Sequence, residues 1–320
     1  MIIHFIQSGV LAVLFFASLT ALFSTLLYQV VGHKITSLPC QIRSKILTFW
    51  LLSPILIAVV LSLSGLLFSW IESHEMATEH CGSHNNSMAH LCWFDPIVHI
   101  SDYLWIGGMS LMALVIVFNA YKGINLMLKQ RRFQSTLRAV SEQQENNVFR
   151  IASEHFFVFS SGLLSPQAFI SSQLLEQLSA EELEVVLAHE QAHCQRRDVL
   201  RRLLLSFAGL FHLPATRQYL LNDTELAHEQ ICDNAAVQKV GNRVLVAETI
   251  IKVARQLQLL TPHSKMGIAS FDGSHIDIRI QQLLEQPKPV NPCVLFFSTV
   301  LYSLIIGSAL MLTMPLHHLL

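Results

Sequence analysis

The sequence has little charge. Of its 320 residues, 13% are charged and 52% are hydrophobic, a balance that is unusual for a soluble domain of this size. Its 21 basic and 22 acidic residues leave a net charge of -1, so the basic surplus typical of nucleic-acid-binding proteins is missing. The low share of charged residues places at least part of the chain in lipid. The missing basic surplus argues against direct contact with nucleic acid.

Long apolar runs occupy the places where charge is missing. A helix that crosses a bilayer needs about 20 apolar residues, and such runs lie at 5–31, 46–70, 101–121 and 292–314. We therefore predict four transmembrane helices. The first run is too long for a signal peptide, so we expect it to remain in the mature protein.

Lysine and arginine are absent from residues 71–100, between the second and third runs. Basic residues tend to stay on the cytoplasmic side, and here they gather at 32–45 and 122–138. The N-terminus and the 71–100 loop are thus predicted outside. The division is 1–121 for three helices with this outer loop, 122–290 for a cytoplasmic domain, and 291–320 for a fourth helix with a short outer tail.

The 71–100 loop is rich in imidazole and thiol groups, which transition metals prefer. Its candidate ligands are His74, His80, Cys81, His84, His90 and Cys92. One hypothesis is that the loop binds a metal or responds to redox state. The alternative is a polar loop with solvated histidines and a local disulfide between its two cysteines.

Patterns within 122–290 predict helices with a small sheet. Strands are expected at 154–160 and 166–171, and the second could hold a substrate backbone as an added strand. A capping box from Ser179 to Glu182 starts a helix at about 180. Further helices are expected from Asn222 or Asp223 to just before Gly241, at 243–259 and at 276–286.

Residues 189–193 read His-Glu-Gln-Ala-His. On a helix, His189 and His193 lie one turn apart on the same face and can hold one zinc ion. Glu190 is then the natural general base, because its carboxylate can reach water beside the metal. The alternative is a pair of solvated helix histidines.

A catalytic zinc needs a third protein ligand. Glu225, Glu229 and Asp233 recur every four residues and so share one face of a second helix. Glu229 is our candidate ligand, and Asp233 is expected to orient a ligand histidine through its free N–H. A solvated acidic face is the alternative.

Three segments resemble the BlaR/MecR group of membrane zinc peptidases, antirepressors that respond to an external signal by inactivating a cytoplasmic repressor. They are LSAEELEVVLA (178–188), HEQAHCQRRD (189–198) and EQICD (229–233). The resemblance implies a single catalytic zinc on His189, His193 and Glu229, with Glu190 as the catalytic acid and base. Asp198 also matches, and we expect it to have a structural role on the motif helix, with a simple surface aspartate as the alternative.

The sensing members of that group carry a penicillin-binding domain after the fourth span, where this sequence ends. We therefore expect a short form that does not sense β-lactams by that route. The predicted fold is a membrane α-helical protein with four transmembrane helices and a cytoplasmic α+β zincin-like metallopeptidase domain.

The predicted function is a zinc-dependent metalloendopeptidase in signal-responsive regulation, located in a bacterial cytoplasmic (inner) membrane. Its predicted partners are membrane lipid and a protein or peptide substrate in the cytoplasm, with a transcriptional repressor as the first candidate. A homo-oligomer is left open. The alternatives are a quality-control protease like the HtpX group, or a non-catalytic membrane receptor for metal or redox signals.

Overall fold

The structure is a computed structural model that describes residues 2–74, 102–143, 147–258, 269–270 and 275–285. It is mostly helical, with one small sheet. The long helices are α1 (Ile2–Thr36), α2 (Cys40–His74) and α3 (Asp102–Val140). The shorter helices are α4 (Ser172–Gln177), α5 (Ala180–Arg196), α6 (Asp198–Ala208), α7 (Pro214–Val240), α8 (Arg243–Gln258) and α9 (Ile276–Leu284).

The first three predicted spans lie within α1, α2 and α3. Across the described parts of the chain, one segment, Cys40–Ser64 of α2, is long and apolar enough to cross a membrane. The fourth predicted span, 292–314, lies outside the described residues. Helix α3 continues without a break past residue 121, so the predicted third span and the start of the predicted domain form one helix.

The predicted metal or disulfide loop is described only at its beginning. His74 is the last residue of α2. The other candidates lie outside the described residues: His80, Cys81, His84, His90 and Cys92.

The sheet contains β1 (Ser141–Gln143), β2 (Val148–Ile151), β3 (Val158–Ser161), β4 (Gln167–Ser171) and β5 (Ala269–Ser270), in the order β1-β2-β4-β3-β5. Strand β2 pairs parallel with β4, and the other pairs are antiparallel. The suggestion that residues 166–171 could receive a substrate as an added strand is wrong, because β4 is already paired on both sides. Strand addition needs a free edge.

The two faces of the sheet pack against different helices, since side chains alternate along a strand. Phe149, Phe159 and Phe169 share one face, where Phe133 of α3 stacks on Phe159 with ring centroids 6.3 Å apart. Valine, alanine and isoleucine side chains on the other face pack against Val185 of α5. Helix α5 therefore lies across a rigid, buried surface.

Both ends of α5 have a clear cause. Ser179 and Glu182 form the predicted capping box, in which each side chain accepts a hydrogen bond from the other's backbone N–H. The helix ends at Arg196 because Arg197 takes a left-handed conformation with φ 54°. Asp198 therefore begins α6, and the expectation that it lies on the motif helix is wrong.

Helix α7 begins earlier than the sequence predicted. Pro214 occupies its first turn, a position that suits proline because the N–H there has no helical partner. Asn222 and Asp223 consequently lie inside the helix. The C-terminal end falls as predicted before Gly241, whose φ of 78° suits glycine.

The first turns of α7 pack on the hairpin of α1 and α2. Leu220 joins Leu47, Trp50 and Leu51 of α2 in one buried cluster, to which α6 contributes Leu205. The early start of α7 thus supplies an apolar surface that joins the two long helices to the rest of the chain.

Candidate active site

Helices α5 and α7 bring three of the predicted site residues together. The Nε2 atoms of His189 and His193 lie 3.1 Å apart, as their spacing of one helical turn requires. Glu229 reaches them from α7, with Oε2 3.5 Å from His189 Nε2 and Oε1 3.5 Å from His193 Nε2. All three side chains are buried.

The other nitrogen of each histidine meets a carboxylate. His189 Nδ1 lies 3.0 Å from Asp233 Oδ1, and His193 Nδ1 lies 2.9 Å from Asp198 Oδ2. An ionised carboxylate can only accept, so each Nδ1 donates, and in the neutral ring this leaves Nε2 with its lone pair. Two lone pairs and a carboxylate thus face one point, and the carboxylates of Asp198 and Asp233 fix the orientation of the rings.

This donor set fits a zinc ion. Two imidazole nitrogens and a carboxylate oxygen are ligands that zinc accepts, and ligand atoms around a tetrahedral zinc lie about 3.3 Å apart. The observed separations of 3.1 and 3.5 Å bracket that value. Packed face to face without a shared metal ion or proton, two acceptor nitrogens and an anionic oxygen would repel each other.

Glu190 is fully buried beside this cluster. Neither of its carboxylate oxygens has a hydrogen-bond partner within the part of the chain that the structure describes. Burial raises the pKa of this carboxyl above its usual value. A buried carboxylate without a partner is costly, and a water held at the adjacent donor cluster would give it one.

Arg279 is a member of the site that the sequence did not reveal. It lies on α9, is fully buried, and donates to Asp233 through Nε at 2.8 Å and Nη2 at 2.7 Å. Its Nη1 also lies 3.1 Å from Glu229 Oε2. One guanidinium thus fixes both the candidate ligand and the carboxylate that orients His189.

Arg279 also sets the charge state of the site. Burial by itself would raise the pKa of Glu229 and of Asp233, but the positive charge of Arg279 and the contacts with the site histidines together outweigh it and hold both pKa values below their usual range. The signal in the sequence was weak. Arg279 lies three residues after Ile276 and four before Leu283, where helical periodicity predicts an apolar residue.

A second group of potential ligands, His193, Asp198 and Cys232, lies on the far side of His193. Asp198 already accepts the hydrogen bond of His193 Nδ1. Burial raises the pKa of the Cys232 thiol well above its usual value, and a thiol binds metal as the thiolate. The geometry therefore favours the cluster of His189, His193 and Glu229.

Glu225, the first residue of the predicted acidic face, is not part of the cluster. It is partly exposed and forms an ion pair with Arg202 of α6. The three residues of the predicted acidic face therefore have different roles. Glu225 contacts α6, whereas Glu229 and Asp233 contact α5.

Helix α7 is joined to the long helices by polar contacts. Tyr28 of α1 donates to Asp223, and Arg43 of α2 donates to Gln230, the residue after Glu229. Asn234 donates to Cys40 Sγ at 3.2 Å. The helix that carries Glu229 is therefore held along most of its length by α1 and α2.

Two histidines and a glutamate around one point, with a buried carboxylate beside the first histidine, define the site of a metallopeptidase. Residues 101–283 match the family model described as BlaR1 peptidase M56. The chain belongs to this family, and membership implies a metallopeptidase. The resemblance noted from the three sequence segments is thereby confirmed.

One curated relative is the Regulatory protein BlaR1 of Bacillus licheniformis. The two chains are 22% identical over 226 residues, which make up 65% of this chain and 36% of that protein. The chain thus spans about a third of the length of this relative.

Proposed function

We propose that the chain is a membrane-embedded zinc metalloendopeptidase that cleaves a cytoplasmic protein, with His189, His193 and Glu229 as the zinc ligands. The observation that carries the proposal is the convergence of His189 Nε2, His193 Nε2 and the Glu229 carboxylate beside the buried carboxylate of Glu190, which has no hydrogen-bond partner among the described residues.

The role of each residue follows from its contacts. A zinc ion would supply Lewis acidity, which polarises a substrate carbonyl and makes water more acidic. Glu190 accepts the proton of the attacking water at its carboxylate and returns it to the leaving amine. Asp198 and Asp233 hold the rings of His193 and His189, and Arg279 keeps Glu229 ionised.

A cytoplasmic substrate is supported by the distribution of charge. Lys34, Arg43 and Lys45 lie around the turn between α1 and α2, and five basic residues follow the third predicted span on α3. Such residues favour the cytoplasmic side of a bilayer. The proposed orientation, with four spans and the N-terminus outside, puts the site in the cytoplasm.

A transcriptional repressor is the substrate that we propose. Its basis is the resemblance to antirepressor peptidases, together with the regulatory role in the name of the Bacillus licheniformis relative. Quality control of membrane proteins is the competing function, and it predicts a different set of substrates.

The first experiment measures zinc content and casein cleavage in detergent for the wild type, Glu190→Gln, Glu229→Gln and Glu184→Gln. Glu184 is exposed on α5 and serves as the matched control. We expect cleavage to be lost in the first two variants, zinc to be lost only in Glu229→Gln, and the control to behave as wild type. A zinc-bound wild type that cleaves nothing, with signalling unaffected by Glu190→Gln, would favour the non-catalytic receptor.

The second experiment identifies the substrate. New protein N-termini would be compared between cells that express the wild type and cells that express Glu190→Gln. Cleavage of a DNA-binding regulator, present only with the wild type, is expected. Cleavage spread over misfolded membrane proteins would contradict the regulatory role and support quality control.

A further inference from the structure

The corner between α6 and α7 exposes apolar side chains. Residues 203–216 contain no Asp, Glu, Lys or Arg. They form the end of α6, a short 3-10 turn at Gly209–Phe211 and the start of α7. Large apolar or aromatic side chains are exposed across this corner: Leu204, Leu210, Phe211, Leu213 and, just beyond it, Tyr219. Exposed apolar side chains concentrated in this way indicate a surface that something apolar covers.

Contacts with α1 and α2 locate the corner. His212 lies with Nε2 3.2 Å from the carbonyl oxygen of Leu51 and Nδ1 3.4 Å from the hydroxyl of Ser24. Thr216 donates to the hydroxyl of Thr25 at 3.1 Å. Leu51 lies within the segment that is long and apolar enough to cross a membrane.

The depth of these contacts can be estimated from the helix rise. Lys45 is the last charged residue of α2 before the apolar run. Leu51 follows it by six residues, which corresponds to about 9 Å along the helix axis. The corner therefore lies beside a part of α2 that is well past the charged boundary.

Helix α7 leads from the corner back toward the charged end of α2. His212, just before α7, contacts Leu51, while Gln230 accepts from Arg43 and Asn234 donates to Cys40. Helices α7 and α2 thus run antiparallel. The corner, at the start of α7, lies nearest the middle of the apolar segment of α2. The site at Glu229 lies near the charged end of α2.

A third helix touches the corner at the charged boundary. A Cβ on Gly123 of α3 would lie 2.8 Å from Phe207 Cζ, so the two helices touch at this point. Gly123 follows Lys122, directly after the third predicted span. Arg201 and Arg202 precede the apolar part of α6, so basic residues border the corner on both helices, as they do at membrane interfaces.

Several backbone groups at the corner meet their partners within the chain. The Gly209 N–H bonds to the Leu205 carbonyl, and the His212 N–H to that of Gly209. The Arg217 side chain donates to the Ser206 carbonyl at 3.2 Å. Helix ends normally leave carbonyls to water, and satisfying them from the protein is what a segment in lipid requires.

We propose that residues 203–216 are set into the lipid of the bilayer that α2 crosses, with acyl chains covering the exposed apolar side chains of the corner. The proposal rests on the proposed membrane crossing of α2. Glu229 lies 15 residues beyond Pro214 on α7, about 22 Å along the axis. The corner would then anchor the ligand-bearing helix to the membrane and hold the site close to its surface.

Spin labels on single introduced cysteines test the depth in liposomes. The variants are Leu210→Cys and Leu213→Cys at the corner, Leu56→Cys on the exposed side of the α2 segment, and Val244→Cys at the start of α8, just beyond the far end of α7. Labelling of the unsubstituted chain gives the background from the native cysteines. Collision with oxygen, which concentrates in lipid, is compared with collision with a water-soluble nickel chelate.

We expect the corner labels to behave like the Leu56 label, with oxygen favoured over nickel, and the Val244 label to show the reverse. Corner labels that collide with nickel, while the Leu56 label does not, would overturn the proposal and leave the crossing of α2 intact. Corner labels that are shielded from both reagents would also overturn it, because another segment or a second copy would then cover them. Nickel access at Leu56 would contradict the crossing itself.

Discussion

Arg279 donates two hydrogen bonds to Asp233, and both residues are buried. The contact ties α9 to α7 directly behind His189. The fourth predicted span begins at 292, 13 residues after Arg279 along the chain.

Replacement of Arg279 by Met would leave two buried carboxylates without their cation. We expect it to lower stability by about 3–5 kcal/mol, the usual result of breaking a buried charge pair, and to reduce zinc retention. Thermal unfolding in detergent with zinc analysis measures both. Arg255→Met, at an exposed position on α8, is the control, and equal behaviour of the two variants would contradict this role.

Asp198→Asn and Asp233→Asn test the carboxylates that hold the histidines. An amide can present its N–H₂ group to Nδ1 and favour the wrong tautomer, so we expect zinc affinity to fall about 10–100-fold in each variant. Competition with a chromogenic chelator gives the dissociation constant. Asp277→Asn changes an exposed aspartate on α9 and should have no effect. Unchanged affinity in both site variants would show that the rings are held by other contacts.

The sequence was informative where a local pattern carried the structure. The capping box from Ser179 to Glu182 and the stop at Gly241 predicted helix ends, because caps are formed by neighbouring residues. The His-Glu-Gln-Ala-His motif and Glu229 could be assigned to facing helices because their periodicity fixes which side they occupy.

The sequence was uninformative where a distant element decided the outcome. Pro214, not Asn222, starts α7, because the additional turns pack on α1 and α2. Arg279 is separated from Asp233 by 46 residues, so no local pattern could pair them. The short turn at Arg197 was missed because a left-handed arginine has no strong signal in sequence.

The capping box also predicts a dependence on pH. The hydrogen bond from Lys252 has the largest effect on the pKa of Glu182, and together with the bond from the Ser179 backbone it lowers this pKa below the ordinary value of 4.5. A carboxylate whose pKa is lower in the folded than in the unfolded chain stabilises the fold above pH 4.5. This contribution is lost as the pH falls through the pKa that Glu182 has in the folded chain. Glu182→Gln should therefore unfold at a lower temperature than the wild type at pH 7.

The difference between Glu182→Gln and the wild type should shrink as the pH is lowered below 4.5. Thermal unfolding in one detergent over a series of buffers measures it. Glu181→Gln, at an exposed position one residue earlier, is the matched control. A difference that stays constant across the series would exclude titration of Glu182 as its cause.

Tyr28→Phe tests the junction between α1 and α7. It removes the hydroxyl that donates to Asp223, and hydrogen bonds to charged groups contribute about 1.5–3 kcal/mol. We expect a loss of stability in that range, measured by thermal unfolding. Tyr219→Phe removes the hydroxyl of an exposed tyrosine on α7, the helix that carries Asp223, and should change stability less. Equal losses would mean that the junction contributes little.

X-ray absorption at the zinc edge tests the central claim most directly, on the wild type and on Glu229→Gln. The account predicts one zinc with only nitrogen and oxygen neighbours, at about 2.0–2.2 Å, and loss or weakening of the signal in the variant. A sulfur neighbour at about 2.3 Å would instead place the ion at His193, Asp198 and Cys232. That result, or no zinc at all, would contradict the assignment of His189, His193 and Glu229 as the ligands.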